Sequence, residues 1–210
     1  MERLFVKICG VTNLDDLMCA VESGADAVGV NFFPGSKRYV TPEAAAKLLA
    51  TIPPTVQRVG VFVDPGKNEV EEILEKVPLD VLQFSGNESP LLLSGYKIKM
   101  FKAIHVANET SLNSMRTYKV DAFLLDAYSD GEFGGTGKVF DWSIAAMAKQ
   151  WGKVILAGGL NPENVAEAVR SVKPYGVDVS SGVEAQPGKK DHNKIRDFIL
   201  RAREAATTNI

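Results

Sequence analysis

A chain of 210 residues with 45% hydrophobic content is sized for one globular domain, at most two, with a sizeable core. Its formal net charge of −2 argues against a nucleic-acid partner or an anionic membrane surface. An anionic ligand therefore has to be held by local dipoles and a few placed cations. The two cysteines, Cys9 and Cys19, lie in no CxxC or Cys/His cluster, which speaks against a disulfide framework or zinc site and for a reducing compartment. Charge interrupts residues 1–7 too early for a signal peptide, and no apolar run approaches the roughly 18 residues of a membrane span. A cytoplasmic protein without a membrane partner is expected; monomer and homodimer both remain open.

Short β-branched runs recur in chain order at 4–9, 27–32, 58–63, 80–84, 99–104, 122–126, 154–157 and 177–180. Helical apolar spacing occupies 14–21, 42–49, 69–77, 162–172 and 193–203, while the fourth and fifth helices are weakly written. Strand–helix alternation at roughly 20–30 residues per unit is the pattern of βα repeats on a parallel sheet. Eight strands suit a closed α/β barrel, a single (β/α)8 TIM barrel spanning 1–210. The open doubly wound alternative lacks a GxGxxG after the first strand, and polar residues end strands throughout the chain.

Strand parity then selects the inward side chains, because alternate residues share a face. Phe5, Lys7 and Cys9 share one face, as do Ala122, Leu124 and Asp126, and Asp178 with Ser180. A polar residue last on the inward face stands at the C-terminal mouth, where such barrels react. Cys9, Gln83, Asp126 and Asp178 all meet that description. Cys19 falls within the first helix and reads as packing, as do Trp142 and Trp151 near the sixth. His105 and His192 read as structural or solvated rather than catalytic.

Two segments read as a phosphate cradle. Gly158-Gly159-Leu160-Asn161-Pro162 follows the seventh strand, with Asn161 as helix N-cap and Pro162 in the first helical position. Ser180-Ser181-Gly182 ends the eighth strand in similar style. Many barrels place an N–H-rich phosphate site at these two strand ends, though each motif alone would also pass as an ordinary glycine turn.

Several further segments carry a likeness. They are Lys7-Ile8-Cys9-Gly10, Ser36-Lys37-Arg38-Tyr39-Val40, Gly134-Gly135-Thr136-Gly137 followed by Phe140-Asp141-Trp142, and Pro187-Gly188-Lys189-Lys190-Asp191. Together with Gly158–Val165 and Val177–Glu184, they closely resemble the phosphoribosylanthranilate isomerase family, in order and across essentially the whole chain. The resemblance implies an Amadori rearrangement of N-(5-phosphoribosyl)anthranilate in tryptophan biosynthesis. It further implies Cys9 as general base, Asp126 as general acid and Arg38 as binder of the anthranilate carboxylate. Where that family commonly shows Gln-Leu-His-Gly, this chain has Gln83-Phe84-Ser85-Gly86.

Such a reaction needs an acid on the ring oxygen and a base at C2, with no metal or redox cofactor. Cysteine is an unusual base, since its unperturbed pKa is about 8.5, and it needs a positive charge from Lys7 or from the substrate's own iminium. Lys7 and Asp178, neighbours once the barrel closes, form either a buried ion pair under the site or a ribose contact through Asp178. They stand with Gln83 and Arg38 as candidate substrate-binding residues. The glycine-rich stretch from Gly134 reads as a lid. The nearest rival is the sister Amadori enzyme of histidine biosynthesis, or a dual-substrate version, against which a cysteine in the base position argues. A non-catalytic phosphate-binding barrel would have no need of Cys9 and Asp126.

Overall fold

The protein was analysed as a computed structural model that describes residues 3–126 and 142–207. Eight parallel strands close into a barrel in chain order. They are β1 (Phe5–Cys9), β2 (Ala27–Asn31), β3 (Gln57–Phe62), β4 (Val81–Phe84), β5 (Lys99–His105), β6 (Ala122–Asp126), β7 (Val154–Ala157) and β8 (Gly176–Val179). Closure is made by β1 against β8, with Lys7 opposite Asp178. Outside lie α1 (Leu14–Glu22), α2 (Pro42–Leu49), α3 (Lys67–Lys76), α4 (Pro90–Leu93), α5 (Trp142–Ala148), α6 (Val165–Val172) and α7 (His192–Thr207). Between β5 and β6 the connection Glu109–Thr117 is a 3₁₀ helix. An antiparallel pair, β9 (Glu184–Gln186) and β10 (Lys189–Lys190), follows β8. None of the helices described is long and apolar enough to cross a membrane.

The helix starts follow from local chemistry. Asn13 accepts the Asp16 N–H ahead of α1, and Thr41 and Ser89 cap α2 and α4, each followed by a proline whose missing N–H costs nothing there. The α6 boundary differs from expectation. Pro162 lies in a turn, and the regular helix begins at Val165. Asn161 still does the capping chemistry, since its Oδ1 accepts the N–H groups of Glu163 and Asn164.

Burial separates the two faces of every strand. Val6 and Ile8 pack outward into the large core beneath the helices, whereas Phe5 joins Ala27, Val59, Val81, Phe101, Ala103, Ala122, Leu124, Ile155 and Ala157 inside the barrel. Phe5 meets Phe101 edge-on at 6.1 Å and stacks on Tyr175 at 5.6 Å, forming an aromatic floor. Trp142 and Trp151 are half-buried against the outer core, and Cys19 is buried within it.

The N-terminal rim is fastened by a device that recurs at alternate strands. Asp26, Asp80 and Asp121, each just ahead of β2, β4 or β6, accept a backbone N–H from the preceding strand at Val6, Arg58 and Met100. A charge-assisted bond of this kind holds a strand end that water would otherwise solvate. Arg203 of α7 ties into the same rim through Asp26 at 2.6 Å, Gly24 and Leu4.

Candidate active site

Polar side chains inside the barrel gather above the aromatic floor, toward the C-terminal mouth. Lys7, Cys9, Gln83, Asp126 and Asp178 all come from inward positions. The Lys7 ammonium is 0% exposed and lies 2.8 Å from Asp178 Oδ1. Burial disfavours that charge, but Asp178 and then Cys9 more than offset it and raise the lysine overall. The ion pair is made, and it engages only one oxygen of the Asp178 carboxylate. Lys7, expected among the substrate-binding residues, is fully buried and held by Asp178.

Cys9 stands on the Lys7 ammonium. A Cβ built on Gly29 would lie 3.0 Å from Cys9 Sγ and 3.2 Å from Lys7 Nζ, so the three converge at one point of the wall. The expectation that Lys7 activates the thiol meets a stronger opposing effect. Burial pushes the Cys9 thiol up, Lys7 pulls it down, Asp178 pushes it up again, and the net direction is upward. The thiol form of Cys9 is therefore favoured over the thiolate in this site.

Asp126 ends β6 with its side chain 31% exposed. Burial raises its carboxyl above the usual range, with His105 lowering it and Asp178 raising it. Asp178 thus acts electrostatically on both Cys9 and Asp126. His105 is opposite Asp126 in register with its Nδ1 3.9 Å from Oδ2; its side chain is exposed, so it is a solvated histidine standing beside this carboxyl. His192 is structural, at 2.9 Å from Asp16. Gln83 is buried, donates to Ser85 Oγ at 3.1 Å, and leaves its Oε1 without a partner among the described residues. Lys102 holds the loop after β4 from outside, donating to the Gly86 carbonyl at 2.8 Å and pairing with Glu88 at 3.0 Å.

The two glycine segments touch. Gly158 and Gly159 adopt positive φ of 74° and 67°, which an L side chain disfavours. Gly182 packs so tightly that an added Cβ would lie 1.9 Å from the Leu160 carbonyl oxygen. The strand ends that carry Gly158, Gly159, Ser180, Ser181 and Gly182 therefore form one continuous wall. Gly10 brings the base end of the site to the same place, since its Cβ would meet Ser180 Oγ at 3.0 Å and Arg38 Cγ at 3.1 Å. Arg38 is 24% exposed, and donates through Nε and Nη2 to the two oxygens of Glu184 at 2.9 and 2.6 Å.

Residues 6–201 match the family model described as N-(5'phosphoribosyl)anthranilate (PRA) isomerase. The chain belongs to the phosphoribosylanthranilate isomerase family. The curated N-(5'-phosphoribosyl)anthranilate isomerase of Pelobacter propionicus is 50% identical over 199 residues, covering 95% of each chain. A crystal structure of phosphoribosyl anthranilate isomerase from Thermotoga maritima superposes with a TM-score of 0.88 at 45% identity, over 96% of this chain and 99% of that one. Another, solved in complex with reduced 1-(o-carboxyphenylamino)-1-deoxyribulose 5-phosphate, has a TM-score of 0.84 at 42% identity, with 96% and 99% covered. As a phosphoribosylanthranilate isomerase family member the chain is an isomerase of tryptophan biosynthesis.

For this isomerase the sequence pointed to most of the mouth but missed two residues. Glu184 and Lys190, on either side of a Pro187-Gly188 turn, are buried against Arg38 and Ser180. The expected lid at Gly134–Gly137 lies outside the described residues.

The buried Lys7–Asp178 pair gives a stability prediction. Asp178→Ala strands an ammonium inside the barrel and should cost about 3–5 kcal/mol in urea unfolding. Lys7→Met combined with Asp178→Leu should recover most of that loss. A single variant as stable as the parent would mean the pair holds nothing together.

Proposed function

We propose that the chain rearranges N-(5-phosphoribosyl)anthranilate to 1-(2-carboxyphenylamino)-1-deoxyribulose 5-phosphate, with Cys9 as general base and Asp126 as general acid. The observation that carries this reading is the pair itself. A thiol and a carboxyl, both raised by burial, stand on inward faces at the ends of β1 and β6. A carboxyl with a raised pKa retains its proton longer, which suits donation to the furanose ring oxygen. Opening the ring places an iminium cation beside the buried thiol. That cation adds to the pull of Lys7, which alone does not offset burial and Asp178. In the reacting form the pair holds a single proton, on Asp126, and Cys9 is a thiolate; it takes the C2 proton, the C2–H electron pair forms the enamine bond, and the iminium is neutralised. Protonation at C1 and loss of the enol proton complete the ketone with no net change in atoms.

The remaining contacts follow from position. The wall formed by Gly158–Gly159 and Ser180–Gly182 receives the phosphate, Arg38 the anthranilate carboxylate, and Asp178 with Gln83 Oε1, which has no partner among the described residues, the sugar hydroxyls. Both homodimer and monomer are compatible with a site built within one barrel. The purified chain, supplied with substrate generated in place, should quench the fluorescence of the anthranilate adduct at enzymatic rate. No turnover above background, or equal turnover of the histidine-pathway aminoaldose, would refute the assignment.

Two expectations concern binding. Inorganic phosphate should inhibit competitively; purely non-competitive inhibition would move the phosphate site elsewhere. Arg38→Ala should lose roughly 1.5–3 kcal/mol of kcat/KM, mostly as KM, the range for a hydrogen bond to a charged group. Arg38→Lys should restore only part, because an ammonium cannot make a paired fork. An unchanged KM in Arg38→Ala would release Arg38 from this role.

A further inference from the structure

Arg38 meets Glu184 through its side edge, Nε and Nη2, and neither bond uses Nη1. A guanidinium has a second fork at its end, between Nη1 and Nη2. Glu184 is buried and serves more than this arginine: Lys190 Nζ lies 3.1 Å from its Oε1, and the Gly188 N–H donates to the same oxygen at 3.3 Å. Lys190 Nζ also donates to the Ser180 carbonyl at 3.0 Å. The short β9–β10 hairpin that carries these groups is fixed from both sides. Thr12 donates to the Gly188 carbonyl at 2.6 Å, and a Cβ on Gly188 would lie 3.1 Å from the Lys37 carbonyl.

Charge decides what this cluster is for. One carboxylate is shared by Arg38 and Lys190; burial lowers the lysine more than Glu184 and Cys9 raise it, and with its proton in place the group holds two cations against one anion. Buried ion pairs are weak stabilisers, because desolvation cancels most of their attraction, and an unbalanced set is weaker still. An incoming carboxylate on the end fork of Arg38 would balance it, two anions against two cations. We propose that Glu184 and Lys190 are positioning residues for substrate, Glu184 aiming the end fork of Arg38 and Lys190 offsetting the second carboxylate while holding the Ser180 turn. This rests on the reading of Arg38 as the carboxylate binder.

Burial of Glu184 opposes its ionisation, but the bond from Arg38 and the charge of Lys190 prevail and hold its carboxyl below the usual range. Glu184 therefore remains an anion at neutral pH, as the arrangement requires.

The test compares two substrates, the anthranilate adduct and the aniline adduct that lacks the carboxylate. Glu184→Gln should raise KM for the anthranilate adduct roughly tenfold or more, the scale of one charge-assisted hydrogen bond, with kcat within about threefold. KM for the aniline adduct should move far less, so the preference for the carboxylate narrows. Lys190→Met leaves the Arg38–Glu184 pair in place and should show the same signature, which keeps the test open if Glu184→Gln does not fold. Equal KM changes for both adducts, or none, would reduce the cluster to a structural staple and overturn the proposal. Arg38→Ala separates the two layers. If it narrows the preference while Glu184→Gln and Lys190→Met do not, the proposal fails and the Arg38 reading stands. If Arg38→Ala leaves the preference intact, both fail.

Discussion

Cys9→Ala should lower kcat by at least about a hundredfold, within the 10²–10⁴ that positioned proton transfer contributes, while KM moves little. Deleting Sγ removes no contact to the phosphate wall or to Arg38, so binding persists. Ring opening persists too, because its proton comes from Asp126. What stops is loss of the C2 proton. Cys9→Ser should be nearly as slow, since a hydroxyl is a far weaker acid than a thiol and does not ionise beside the iminium. Alkylation offers a second reading of the same site, and a product analogue should protect Cys9 from it. Near-normal kcat in Cys9→Ala would place the base elsewhere, with Asp178 the next residue to replace.

Asp126→Asn should be as damaging, for the opposite reason. The amide keeps size and polarity but has no proton to give the ring oxygen, and kcat should again fall at least about a hundredfold. The pH profile follows from the raised pKa values. Catalysis needs an ionised Cys9 together with a protonated Asp126, yet the thiol titrates above the carboxyl. The active form is therefore the minor arrangement of the singly protonated pair. Activity rises with pH as the pair loses its first proton, governed mainly by Asp126, and falls as it loses the second, governed mainly by Cys9. Asp126→Asn should lose the acid limb and retain the alkaline behaviour of the thiol. An acid limb that survives this substitution unchanged would assign it to another group.

Much of this site was legible because strand parity is a strict rule. Once β1 reads Phe-Val-Lys-Ile-Cys, the pleat forces Phe5, Lys7 and Cys9 inward, and the burial of Val6 and Ile8 in the outer core agrees. Element ends were less legible. The last strand was expected through Ser180, but Ser180 turns to ψ −82° and leaves β8 at Val179 for a 3₁₀ turn. Around 109–117 polar side chains compete for the backbone: Ser114 and Thr117 donate to the carbonyls of Ser111 and Ser114, and a tight 3₁₀ helix results. The aspartates of the N-terminal rim gave no signal, because a single Asp before a strand reads as a turn residue. Nothing in the sequence links Glu184 to Arg38, 146 positions away. Only closure of the barrel brings them together. The same holds for His105, whose place beside Asp126 depends on the register of β5 against β6.

The division of labour between Cys9 and Asp126 is tested most directly by the deuterium isotope effect on kcat with substrate labelled at C2. In Cys9→Ser, removal of the C2 proton limits turnover, and a full primary effect should be expressed. In Asp126→Asn, ring opening limits turnover, and the effect should be suppressed toward unity. A primary effect as large in Asp126→Asn as in Cys9→Ser would contradict the assignment of Asp126 to ring opening and Cys9 to C2.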